Sequence, residues 1–169
     1  MKKLIPLTIF ILTAMLFLNC EKDDICDENT PTTPLLVIDF YDVANPTVAK
    51  NVTNLGIVAD GVIEPLGIFN NVSTISIPLR TIEDITAYSF ILNSTNLTLF
   101  NEDKITFNYT RNNIFISRAC GYKTQFILDA TTGAVRTDAA TADGLWIQNI
   151  AINQVNILSE DETHVNIYF

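Results

Sequence analysis

Three cysteines, one histidine and nineteen carboxylates are where covalent, acid–base or metal chemistry could reside in this 169-residue chain. A nucleophile–histidine triad or a multi-histidine metal site would have to run through His164, the sole imidazole. On the alternation of the C-terminal residues His164 faces away from the apolar side, so a ring turned toward water is expected. Two carboxylates held opposite each other could hydrolyse a glycosidic bond. Glu102-Asp103 and Glu160-Asp161-Glu162, however, fall in stretches that read as turns, where acids ordinarily meet solvent. There is no Asp-x-Asp-x-Asp-Gly calcium loop and no glycine-rich phosphate loop. No catalytic residue, metal or cofactor is therefore assigned. Among the aromatics, Trp146, Tyr122 and Tyr168 are candidates for a recognition surface, Trp146 foremost; a place in the core is the alternative for each.

The thiols are more informative. Met1-Lys2-Lys3 is followed by an apolar run from Leu4 to Leu18, and Cys20 stands at its foot. A short basic region ahead of an apolar stretch too short to span a bilayer is the layout of a secretory signal peptide. Leu16-Phe-Leu-Asn-Cys20 resembles the lipobox of bacterial lipoproteins, with Asn19 where that signal more often has a small residue. The resemblance implies a diacylglyceryl group on the Cys20 sulfur, cleavage before it, and acylation of the new amine. Two or more acyl chains then hold the chain on a membrane. Glu21-Lys22-Asp23-Asp24 resembles the surface-export signal of Bacteroidota lipoproteins, or serves as a solvated spacer, so cell surface and periplasmic face both remain open. With Cys20 acylated, Cys26 and Cys120 are the only intramolecular pair left, and an oxidising compartment favours the disulfide. Two free thiols or an intermolecular bridge are the alternatives. Six residues lead from Cys20 to Cys26, so a disulfide there would hold the domain within about 20 Å of the lipidated cysteine.

Charge narrows the partners. Cleavage before Cys20 removes Lys2 and Lys3 and no acid, taking the formal charge from −9 to −11. That excludes nucleic acid, whose binding rests on cations against phosphates, and leaves membrane attachment to the lipid. A protein or glycan of the envelope is the expected partner, if one exists. A carboxylate-based envelope hydrolase is the alternative to a binding or structural role.

The elements that must position these residues read as strands. Leu35–Tyr41, Val72–Leu79, Ala87–Asn93, Leu97–Phe100, Ile105–Thr110, Ile114–Arg118 and Tyr122–Asp129 are short runs rich in β-branched and aromatic residues. Asn101-Glu-Asp103, Asn112-Asn113, Thr131-Thr-Gly133 and Ala142-Asp-Gly144 separate them as turns. Ile150 and Ile152 differ in parity from Val155 and Ile157, which calls for a bulge or break near Asn153-Gln154. Val165, Ile167 and Phe169 alternate, and a hairpin with residues 155–159 is expected across the Glu160–Glu162 turn. No long helical stripe occurs. Residues 1–19 read as a lipoprotein signal peptide, 20–34 as a lipidated N-terminus and short linker through Thr30-Pro-Thr-Thr-Pro34, and 35–169 as one all-β domain. About nine short strands joined by tight turns predict an antiparallel β-sandwich. Strands of this length, broken by Thr, Ser and Asn, do not suit an outer-membrane barrel. Five Asn-x-Ser/Thr triplets, beginning at Asn51, Asn71, Asn93, Asn96 and Asn108, read as turn and strand chemistry behind a bacterial signal.

Several blocks are distinctive: Cys20-Glu-Lys-Asp-Asp-Ile-Cys26 running on to Pro34, Ser117-Arg-Ala-Cys-Gly-Tyr122, Thr137 to Trp146, and His164 to Phe169. Together they resemble a family of flavobacterial lipoproteins known only as a domain of unknown function. The resemblance spans nearly the whole mature chain. It implies the lipid anchor and the single domain, and carries over no catalytic or binding residue.

Overall fold

Eleven strands and no helix form among the residues described by the computed structural model, which are 25–96 and 98–169. The strands are β1 (Leu36–Tyr41), β2 (Leu55–Ala59), β3 (Gly67–Phe69), β4 (Thr74–Ile77), β5 (Ile85–Leu92), β6 (Asn101–Ser117), β7 (Gly121–Leu128), β8 (Ala134–Asp138), β9 (Asn149–Ile152), β10 (Asn156–Ile157) and β11 (Val165–Tyr168). They make two open sheets. One has the order β4-β1-β11-β9; the other runs β10-β7-β6-β5-β2-β3, with β8 pairing on β6.

Period-two burial drives this arrangement, because successive side chains of a strand point to opposite faces. Leu36, Ile38 and Phe40 of β1 are wholly buried, and so are Phe90 of β5, Ile105 and Phe107 of β6, and Phe126 of β7. Residues of both sheets meet in one hydrophobic cluster, which makes the fold β-sandwich-like. The described residues divide into two compact units. Thr33–Asn113 with Thr124–Phe169 holds that cluster; residues 25–32 with Ile114–Lys123 form the other.

Several expectations are corrected. The final strand does not pair with residues 155–159. β11 runs parallel to β1, Ile38 opposite Val165, and antiparallel to β9, Ile167 opposite Ile150. Ile157 of β10 instead lies opposite Phe126 of β7, in the other sheet. The change of parity at Asn153-Gln154 is thus a crossing between sheets: facing layers must present opposite faces to reach the same core. Backbone N–H groups of Asn153 and Gln154 donate to the His164 carbonyl at 2.8 and 3.2 Å and fix the crossing. The parallel pairing of β1 with β11 also means that the sandwich is not purely antiparallel.

Second, Asn112-Asn113 is not a turn. β6 continues through it, and the Thr124 hydroxyl donates to Asn113 Oδ1 at 2.8 Å. Neither asparagine adopts the left-handed conformation; Asn54, Asn71 and Asn93 do. Third, Glu102-Asp103 lies inside β6 rather than in a turn. The chain reverses earlier: Thr98 and Leu99 are in a turn rather than a strand, with Leu97 outside the described residues. There the Asn96 side chain accepts from the Thr98 N–H and hydroxyl at 3.0 and 2.8 Å.

Candidate functional site

The thiols expected to pair do so. Cys26 and Cys120 form a disulfide with their Cα atoms 4.9 Å apart and 94 residues between them in sequence. Cys120 closes the turn from β6 to β7, where its N–H donates to the Ser117 hydroxyl at 3.0 Å and Gly121 takes the left-handed φ of +70° that a side chain would resist. On the other side, the Asp27 carboxylate accepts the Asn29 N–H at 2.8 Å, and the Thr30 N–H closes on the Asp27 carbonyl at 2.9 Å. Beside the disulfide in sequence, Phe115 and Tyr122 pack edge to face with ring centroids 5.3 Å apart, yet remain 55% and 69% exposed. Cys20 and the signal peptide lie outside the described residues.

Trp146, the candidate for surface recognition, is a core residue. It is 8% exposed, its indole N–H donates to the Phe90 carbonyl at 3.0 Å, and its ring meets the edge of Phe169 at 5.4 Å. Lys50 caps the same Phe169 ring at 4.4 Å. Tyr168 is half-buried and stacked on Tyr41, so Tyr122 alone of the three aromatics is freely exposed.

His164 is also buried, contrary to expectation, at 1% exposure. Alternation gives the side of the sheet but not what covers it. The acidic turn is held beside it: Glu160 accepts the Leu35 N–H at 3.2 Å and Glu162 accepts from Gln154 at 3.1 Å. Nδ1 of His164 accepts the Val37 N–H at 3.0 Å, which leaves the proton of the neutral ring on Nε2. Burial holds its pKa below the ordinary 6.5, against the upward pull of Glu162 and Glu160. As pH falls below 6.5, the unfolded chain gains a proton that the folded ring resists, so this group's contribution to stability declines. His164→Ala should lose about 1–3 kcal/mol at neutral pH, because the Val37 N–H is left without its acceptor, and should flatten the pH dependence across that window. Urea midpoints above and below pH 6.5 check both; an unchanged slope would contradict the assignment.

Several carboxylates are committed to structure. Asp103 is wholly buried, with Oδ2 accepting the Ile147 N–H at 2.7 Å and Oδ1 without a partner. Burial raises its pKa, and the Ile147 N–H and the charge of Arg136 partly oppose that. Arg136 donates to the Ile147 carbonyl. Asp138, opposite Asp103 across β6 and β8, accepts N–H groups of Ala139, Asp143 and Gly144, while Asp143 accepts the Glu102 N–H at 3.1 Å. These acids tie the connection from β8 to β9 down onto β6.

Two of the hollows in this unit gather polar side chains. One, of about 430 Å³, is lined chiefly by Ala59, Val62, Pro78, Leu79, Arg80 and Tyr88. Its polar groups answer one another. Tyr109 and Thr86 hydroxyls lie 2.6 Å apart, Tyr109 donates to the Arg80 carbonyl, Tyr88 to the Pro78 carbonyl, and the Arg80 guanidinium to Glu83. Burial pushes the Tyr88 phenol up to about 12. The other, of about 570 Å³, brings Asp84 and Asp129 to one concave surface. Asp84 is ion-paired with Arg111 at 2.6 Å. Asp129 Oδ1 accepts the Thr131 and Thr132 N–H groups and the Thr132 hydroxyl, which lowers its pKa. A glycosidase acid needs its pKa raised, and Asp129 is shifted the opposite way. Among the described residues no group of three or more His, Cys, Asp or Glu is placed to hold a metal ion.

Residues 37–169, from the second residue of β1 to the C-terminal residue, match a family of unknown function, DUF6452. The chain belongs to that family. The match of this DUF6452 chain takes in Cys120 and both sheets and starts after Cys26. No curated protein and no solved structure matches it.

Proposed function

We propose that this DUF6452 chain is a lipid-anchored protein of a Bacteroidota cell envelope. In this reading Cys20 carries the acyl chains, and the acidic β-sandwich sits at the outer membrane, on the cell surface or its periplasmic face. One observation carries the proposal. The Cys26–Cys120 disulfide uses two of the three cysteines. The thiol without a cysteine to pair with is then Cys20, the one at the foot of the apolar run after Lys2-Lys3. A disulfide also fits an oxidising compartment outside the cytoplasm.

The role on that membrane is binding or structural. A buried histidine whose Nδ1 is taken by a backbone N–H, and acids held by backbone donors, support this over a carboxylate-based hydrolase. Feeding cells a labelled fatty acid tests the anchor. Wild-type and Cys26→Ala protein should take up label, and Cys20→Ala should take up none. Label that survives Cys20→Ala would overturn the anchor.

A further inference from the structure

We propose that the disulfide-bonded tip of the β6–β7 hairpin is a second membrane contact, with Phe115 and Tyr122 resting in the headgroup layer of the bilayer that the Cys20 acyl chains enter. This deepens the lipid-anchor reading and rests on it. Three observations in one compact unit point there.

The first is exposure. Phe115 and Tyr122 pack on each other and leave most of their surface to solvent, and Ile25, next to the disulfide, is 82% exposed. Alternating burial along β6 ends at Tyr109, so the hairpin end adds nothing to the hydrophobic cluster. Amphipathic rings are enriched at the boundary between hydrocarbon and water, where a phenol can keep its hydroxyl wet.

The second is charge. The described residues of this unit carry Arg118 and Lys123 against Asp27 and Glu28, so they are formally neutral in a chain of net charge −9. A neutral patch escapes the repulsion that an acidic surface meets at anionic headgroups.

The third is reach. Cys26 follows Cys20 by six residues, so even a fully extended tether spans only about 20 Å. Tyr122 is two residues from Cys120, to which Cys26 is bonded. An acylated Cys20 therefore keeps these rings close to the lipid surface, and a bilayer is the partner always within range.

The test uses the full native chain, purified with its lipid and reconstituted in phosphatidylethanolamine–phosphatidylglycerol vesicles whose acyl chains are brominated near the headgroup. Tyr122→Trp and, separately, Phe115→Trp place an indole at the tip. Vesicles of the same lipids without bromine serve as the reference. The buried Trp146 is common to all, so each is read as its difference from wild type. Both tip indoles should emit blue-shifted and lose most of that added emission to bromine. Mass spectrometry of the same samples separates the failures. Absent acyl chains overturn both the anchor and the contact. Acyl chains present with unquenched tip indoles overturn the contact alone. Blue-shifted but unquenched tip emission would place the tip against protein rather than lipid and equally overturn it.

Discussion

Replacing both disulfide cysteines, Cys26→Ser with Cys120→Ser, is expected to lower the unfolding free energy by about 4–5 kcal/mol, the value that chain entropy assigns to a loop of this length. The bridge links residues 94 apart and so restricts an unfolded chain that would otherwise open widely. Neither sulfur belongs to the hydrophobic cluster, so the folded packing of the two sheets should survive the change. The loss should appear as a lower urea midpoint together with a slightly steeper slope, since a chain freed of its cross-link exposes more surface on unfolding. Reduced wild-type protein should match the double variant. A loss below about 1 kcal/mol would fall short of even the low end for native disulfides, and would mean that the two thiols are not joined in the native protein.

Trp146→Ala is expected to cost about 3–5 kcal/mol, the range for deleting a large buried aromatic. Two separable contributions make up the loss. The ring fills space against Phe169, which also packs edge to face on Phe40, and the indole N–H satisfies the Phe90 carbonyl. Trp146→Phe keeps most of the ring and should cost only about 1–2 kcal/mol, chiefly the lost indole hydrogen bond to the Phe90 carbonyl. Thermal or urea unfolding of the pair of variants separates packing from hydrogen bonding. A Trp146→Ala protein as stable as wild type would return this residue to the surface.

What the sequence made legible follows from what each signal encodes. The pattern of β-branched and aromatic residues located β1, β5 and β7, and the alternation of Val165, Ile167 and Phe169 located the C-terminal strand, because these signals are visible in the residues themselves. They did not reveal β2, where Gly56 breaks the apolar pattern. That glycine is needed because an added Cβ would lie 2.9 Å from Ser94 Cβ. Nor did they reveal β8, whose Arg136 side chain reaches the Ile147 carbonyl. Asparagines misled in both directions: Asn112-Asn113 offered a turn that the chain does not take, while Asn93 and Asn96 build the actual reversal before β6.

Pairing across sheets was the least legible feature. The parity change at Asn153-Gln154 was visible, but a bulge, a break and a crossing leave the same trace in sequence. Only the register of Ile157 on Phe126 and Ile167 on Ile150 separates them. The burial of Asp103 and His164 was likewise hidden, since it depends on which distant segment folds over each. Cysteine arithmetic succeeded because two thiols in an oxidising compartment leave few choices.

The central claim is the chemistry of one sulfur. The measurement that meets it most directly is the mass of the N-terminal peptide of protein taken from its own membranes. That peptide should begin at Cys20 and carry a diacylglyceryl group on sulfur and a further acyl chain on the amine. A peptide with an unmodified Cys20, or one that still extends back through Lys2-Lys3, would contradict the lipid anchor and the membrane contact built on it.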